Sequence, residues 1–342
     1  MVITPRKDIS VILPVYNGAS MLESCVGSVR SAGKRIAELI IVDDGSTDGS
    51  GEKAEALAGN DPWIKVIRTK NHGSYTARVT GIRAAVSPYI AFIDVDDRYC
   101  SGALDLLADL LELHEADAAM GGIIETSSPD EKEPGERASA VRVCTVGEIW
   151  PRIMKWKTQE FVCYVWNKLY KRELFSDLLP AEGLCQGDDV LLTCQAFLKV
   201  KKTVETAVPV YLYYQNPDSL MHAAFGDRDL DLIRVWDSIV HVMRSESPKL
   251  YRMALFNRWR TDFTLICRLI LADNKELDKK YAGELKEWRN GLRTHWSRLI
   301  SAHAMPLNRE LLILGLRFAY IPVKAAMRLG KRLTNRQREE RA

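Results

Sequence analysis

The chain has 342 residues, 46% of them hydrophobic and 27% charged, with a formal net charge of +3, the profile of a folded, soluble protein of one large or two modest domains. No uncharged apolar stretch approaches the roughly 18 to 20 residues needed to span a bilayer, and the opening MVITPRKD has no signal-peptide pattern. Export and membrane insertion are therefore not expected, and seven scattered cysteines without ligand spacing read as the reduced thiols of a cytoplasmic protein.

In chain order, the pattern predicts a strand at Ile9–Tyr16, a helix from Ala19, a strand at Leu39–Asp43, a helix from Asp48 and a strand at Trp63–Arg68. A helix at Tyr75–Ala85, a strand at Tyr89–Asp94 and a helix at Gly102–Glu115 follow. Such alternation predicts an α/β fold with a mostly parallel sheet flanked by helices. A further strand is expected at Asp117–Glu125, then a polar surface loop (TSSPDEKEPGERAS), a helix near Val146–Trp156 and a strand in TVETAVPVYLYYQ. From Asp227 onward the spacing is helical. The expected division is a domain at 1–226, in two halves to about 116 and from 117, and a helical C-terminal region at 227–342.

Chemistry concentrates at the strand ends, where ligands of such sheets bind. The run Tyr89-Ile90-Ala91-Phe92-Ile93-Asp94-Val95-Asp96-Asp97 is an apolar strand ending in three carboxylates. Their repulsion would be offset by a divalent ion carrying a pyrophosphate; the plainer reading is a turn in which Asp97 or Ser101 caps the next helix. Tyr16 offers an aromatic face to a base, and Asp43 or Asp44 can accept from an N–H on the base edge, as uracil presents one. Asp44-Gly45-Ser46-Thr47-Asp48 is also turn chemistry, and the two readings are compatible.

The segments ISVILPVYN, LIIVDDGSTDGS, TARVTGIRAA, YIAFIDVDD, WNKLYKREL and GDDVLL, in this order over roughly residues 8 to 222, resemble the inverting glycosyltransferase family 2 with its GT-A fold. The resemblance implies a nucleoside site at Pro14, Tyr16, Asn17 and Asp43 to Ser46, with Arg78 reaching the donor's diphosphate or ribose. It implies that Asp94 contacts ribose or the metal, that Asp96 binds Mn²⁺ or Mg²⁺, and that His222 is either a third ligand or a surface residue. In the Gly187-Asp188-Asp189 segment it makes Asp189 the base that deprotonates the acceptor hydroxyl, with Asp188 supporting it where the family carries a glutamate; both also suit a helix cap. Val79 departs from the family, where an asparagine is common. Trp166 and Lys168 are expected on the acceptor side, although Trp166 and the tyrosines 211, 213 and 214 would also serve as core.

The implied activity is metal-dependent, inverting transfer of a sugar from a nucleotide-diphosphate donor, UDP favoured, to a glycan or lipid-linked acceptor in surface polysaccharide synthesis. The alternative is a non-catalytic sugar-nucleotide or glycan-binding component. A dehydrogenase is disfavoured, since no GxGxxG follows the first strand. From Pro306 to Ala342, nine Lys/Arg face three Asp/Glu. Asn308–Leu333 reads as one basic amphipathic helix, suited either to an anionic inner membrane face or to packing on its own domain or on a twin subunit. No nucleic-acid motif accompanies the charge.

Overall fold

Strand β1 (Ile9–Val15) is β-branched and almost wholly buried, and it pairs in parallel on both sides. In the computed structural model, which describes residues 6–128, 140–158, 160, 162–216 and 224–339, it is followed by α1 (Leu22–Ser31), β2 (Ile36–Asp43), α2 (Ser50–Ala58), β3 (Ile64–Arg68), α3 (Ser74–Ala84) and β4 (Tyr89–Phe92). Then come β5 (Arg98–Tyr99), α4 (Ala103–Leu113), β6 (Ala118–Thr126), β7 (Val141–Thr145), α5 (Val146–Ile153), β8 (Lys168–Lys171), α6 (Asp188–Phe197) and β9 (Lys202–Tyr214). The remainder is helical: α7 (Asp231–Glu246), α8 (Pro248–Ala272), α9 (Lys275–Lys280), α10 (Ala282–Ser301), α11 (Leu307–Phe318) and α12 (Tyr320–Glu339). The polar loop expected after Glu125 falls largely at 129–139, outside the described residues.

Among the described residues the sheet runs β3-β2-β1-β4-β8-β6-β9-β5, with β7 also on β9. The expected parallel order holds for β3, β2, β1 and β4. Beyond β4 the sheet is mixed: β8 is antiparallel to β4 and β6, β6 is parallel to β9, and β5 and β7 are antiparallel to β9. The alternation of strand and helix that forces parallel crossovers lapses there.

Pro14 shows how β1 opens a crevice. Ile12 O accepts from Ile93 N–H on the β4 side, so by the two-residue period Pro14 also faces that side. Pairing with β4 has ended by then, at Ile12↔Phe92. The proline costs no ladder bond, and β4 is free to diverge into Asp94-Val95-Asp96.

The chain divides into two compact units. The first comprises 1–149 and 163–222 and contains the sheet. The second comprises 150–162 and 223–342, so the segment Trp150–Val162 belongs with the helical region rather than with the sequence around it. Within the second unit, Asn257 Nδ2 donates to Met154 O (2.9 Å), and Trp156 meets Phe256 edge-on at 5.0 Å.

The single tail helix expected over Asn308–Leu333 is two helices. They break at Ala319 (φ −136°, ψ 48°), because Pro322 lacks an N–H and its ring would clash with the carbonyl four residues back if α11 continued. Ile313 and Leu316 join the core of the second unit, while Lys324 and Arg328 pair with Asp278 and Arg332 with Asp273. Ile321, Leu329 and Leu333 remain 79%, 58% and 53% exposed.

Candidate active site

The ends of β1 and β2 are knitted together by their own polar side chains. Asn17, at φ 53°, accepts from Thr47 N–H through Oδ1 (2.8 Å), and its own N–H donates to Ser46 Oγ (3.0 Å). Gly18 N–H donates to Ser50 Oγ and Ala19 N–H to Asp48. Pro14 is the last residue but one of β1, and Tyr16 just past the strand is 49% exposed, leaving an open aromatic face.

Asp43 and Asp44 are both buried. Asp43 accepts from Ser46 N–H (3.0 Å) and pairs with Arg68 Nε (3.3 Å). Asp44 accepts from the N–H groups of His72 (2.9 Å) and Gly73 (2.8 Å) and from the Thr69 hydroxyl (3.2 Å), pinning the loop into α3. A carboxylate has about four lone-pair sites, so Asp43 keeps the larger spare capacity for a base N–H.

That loop is held tightly. Gly73 sits at φ +88°, and a Cβ there would lie 2.3 Å from Leu184 O, so only glycine lets α3 start this close to the segment before α6. The approach brings Arg78, on α3, to the first turn of α6. Arg78 is 5% exposed. Its Nη1 pairs with Asp188 Oδ2, and its Nη2 lies 2.6 Å from Asp94 Oδ1 and 3.5 Å from Asp189 Oδ1. The guanidinium expected to reach a donor's diphosphate or ribose is turned onto three carboxylates here. A buried cation and buried anions each need such partners.

Asp189 sits in the first turn of α6 after Gly187, and about a quarter of its side chain is exposed (24%). Burial pushes its carboxyl up to about 6, with the Asp94 charge adding to the rise and Arg78 and Lys168 opposing it. A carboxylate near that value is suited to accept a proton at neutral pH. Asp188 is the more buried partner and is committed to Arg78.

The acid run after β4 is organised by a residue that sequence patterning left as ordinary core. The Tyr211 hydroxyl accepts from Asp94 N–H (3.1 Å) and donates to Asp97 Oδ2 (2.9 Å), and Tyr214 N–H donates to Asp97 Oδ1 (2.8 Å). Asp97 is therefore not a helix cap; α4 starts after Gly102. The β5–β9 pairing that sets Tyr99 opposite Tyr211 spans two residues of β5, too short to show in a pattern. Burial, and then Asp94, push Asp96 up to about 6, against a hydrogen bond from Asn216. Asp97 is raised by burial and by Asp94 and Asp96.

Crowded carboxylates that resist a second negative charge fit a divalent cation. The hard oxygens of Asp94 and Asp96 suit Mg²⁺ or Mn²⁺, which are commonly held by one or two carboxylates plus substrate phosphates. Among the described residues no group of three His, Cys, Asp or Glu is set to enclose a metal. His222 lies outside the described residues.

Trp166 and Lys168, expected on the acceptor side, are both buried. Trp166 is 3% exposed, stacked against Tyr164 (4.8 Å), Tyr211 (4.4 Å) and Tyr213 (5.5 Å). Lys168 is fully buried on β8, and its ammonium is used on Asn167 Oδ1 (2.7 Å) and Tyr164 O. The partly exposed rings of this column are Tyr164 and Tyr213.

Residues 10–179 match the family model for glycosyl transferase family 2. The chain belongs to glycosyltransferase family 2. It is 34% identical over 214 residues to the uncharacterized glycosyltransferase EpsJ of Bacillus subtilis, covering 62% of each chain. It is 29% identical over 224 residues to the glycosyltransferase GlyG of Streptococcus pneumoniae, covering 64% of this chain and 74% of that one. The match to EpsJ spans less than two thirds of that relative's length. This family 2 chain also shares its fold with S. aureus TarS 1-349, solved in complex with UDP-GlcNAc: TM-score 0.67 and 18% identity over 96% of this chain and 92% of that one.

Proposed function

We propose that the protein transfers a sugar, with inversion, from a nucleoside-diphosphate donor to a hydroxyl of a glycan or lipid-linked acceptor. One observation carries this reading: a single guanidinium, Arg78, joins the donor-side carboxylate Asp94 to the Asp188-Asp189 pair. The arrangement supports reading Asp94 as a donor-binding acid and Asp189 as a base of the same site.

Tyr16 stacks the base, and Asp43 or Asp44 accepts from its N–H. Asp94 and Asp96 hold Mg²⁺ or Mn²⁺, which when bound stabilises the negative charge of the departing nucleotide. Asp189 accepts the proton of the attacking hydroxyl, whose oxygen displaces the nucleotide in line and inverts the anomeric carbon. Asp188 and Arg78 keep Asp189 in place. UDP is the favoured nucleotide, in keeping with the UDP and UDP-GlcNAc complexes of TarS. Among the described residues no helix is long and apolar enough to cross a membrane, and the proposed place of work is the cytoplasmic face of the membrane, reached peripherally.

Calorimetric titration with UDP and GDP, each with Mn²⁺ and with chelator, tests the donor site. Metal-dependent binding of UDP is expected, and Asp96→Ala should abolish it; the same Mn²⁺ dependence in that variant would remove Asp96 from the metal. With a UDP-sugar, Asp189→Asn should bind donor nearly as well as the parent and turn over about 10² to 10⁴ times more slowly. Unchanged turnover would remove Asp189 from the base role.

A further inference from the structure

The second unit contains a cavity of about 340 Å³ whose lining includes Lys155, Lys157, Arg260, His303, Pro306 and Arg309. Two lysines, two arginines and an imidazole share its wall, with Lys155 and Arg260 also engaged by partners of their own, and among the described lining residues there is no Asp or Glu. Like charges gathered around one concavity repel one another and lower the potential energy of any anion that enters.

Two independent features of the backbone converge on the same place. Lys155 (φ 48°), Lys157 (φ 56°) and His303 (φ 47°) are in the left-handed region, and they account for three of the six non-glycine residues with positive φ among the described residues. Side chains seldom adopt that conformation, and it tends to gather at ligand clamps. The cavity also includes the start of α11, a helix of 12 residues whose N-cap is Pro306. Arg309 lies in its first turn, where a cation opposes the helix dipole and adds to the positive potential. Glu310, the acid of that turn, is buried and does not line the cavity.

We propose that this cavity binds a phosphate group, carried by the headgroup of an anionic membrane lipid. Lys and Arg donors around a helix N-terminus match the charge and the several acceptor oxygens of a phosphate. The lipid source follows from the neighbouring surface. Leu307 and Leu311, one turn apart on α11 and flanking Arg309, are 69% and 58% exposed, and Phe318 farther along the helix is 66% exposed. An apolar helix face beside a cationic pocket suits acyl chains below a headgroup.

The test is cosedimentation of the full chain with phosphatidylcholine vesicles, with and without phosphatidic acid, together with calorimetric titration of inorganic phosphate. Binding is expected on the acidic vesicles. Lys157→Gln/Arg309→Gln, two exposed positions, should weaken it about 30-fold. A charge-matched control, Lys249→Gln/Arg252→Gln, should retain it. UDP binding in both double variants should equal the parent's, which keeps this outcome separate from that of the donor site. Equal loss in the control would show net charge alone at work and overturn the proposal, as would unchanged vesicle binding in the cavity variant. If inorganic phosphate binds and is lost with Lys157 and Arg309 while acidic vesicles are ignored, the phosphate site stands and the lipid source is overturned.

Discussion

Arg78 meets three carboxylates that come from residues 94, 188 and 189 and is their shared counter-charge. Removing it would leave buried anions without a counter-charge, a loss of the order of 3–5 kcal/mol in measured cases. Arg78→Ala should therefore unfold at lower urea at pH 7.5. The orphaned carboxyls would take up protons in the folded state above the unfolded carboxyl range, so folded stability rises as pH falls, and the deficit should shrink towards pH 5. A deficit independent of pH would mean that the arginine contributes packing alone. Asp189 offers a second test. Its carboxyl, at about 6, must be ionised to accept a proton, so kcat/KM should rise through about pH 6 and then level off. A flat profile through that range in the parent enzyme would assign the proton to another group. Asp94, Asp96 and Asp189 were legible in the sequence because each sits in a short motif at a strand or helix end. The inward turn of Arg78 was not, since it depends on carboxylates brought from up to 111 positions away; nor was the burial of Trp166 and Lys168, which depends on which strands flank β8.

At the scale of elements, hydrophobic patterning located the strands and helices well and missed what interrupts them. Pro322 splits the tail helix, and the pairing of Lys324, Arg328 and Arg332 with Asp278 and Asp273 ties much of its basic face to the second unit. Part of what is left open on α12 is an apolar stripe. Ile321, Ala325, Leu329 and Leu333 recur every four residues and are exposed. Substituting Leu329→Glu should leave the unfolding midpoint almost unchanged, because the side chain is 58% exposed and is not part of the second unit's core. It should weaken partition onto acidic vesicles by about tenfold or more, given the usual 1.5–3 kcal/mol for burying a leucine. Unaltered partition would take α12 out of the contact.

At the scale of the whole molecule, the alternating first half of the sequence announced a parallel sheet, and β3, β2, β1 and β4 form one. The mixed half escaped because β5 and β8 are too short for a period-two signal and β9 serves three neighbours at once. A boundary near residue 226 was visible as a change of spacing. The excursion of residues 150–162 into the other unit was not, because nothing local in the sequence distinguishes a helix end that packs on its neighbours from one that packs on a helix a hundred residues later.

That excursion has a consequence during synthesis. The ribosome delivers Trp150–Val162 well before the helix that carries Asn257 and Phe256, and at about 5–20 residues per second the wait is roughly 5 to 20 s. For that interval the sheet unit can finish folding while Ile153, Met154 and Trp156 have no helix to pack on. Nascent chains stalled between these points would be the stage at which aggregation or chaperone capture is most probable, and a truncation ending at 222 would make that transient state permanent.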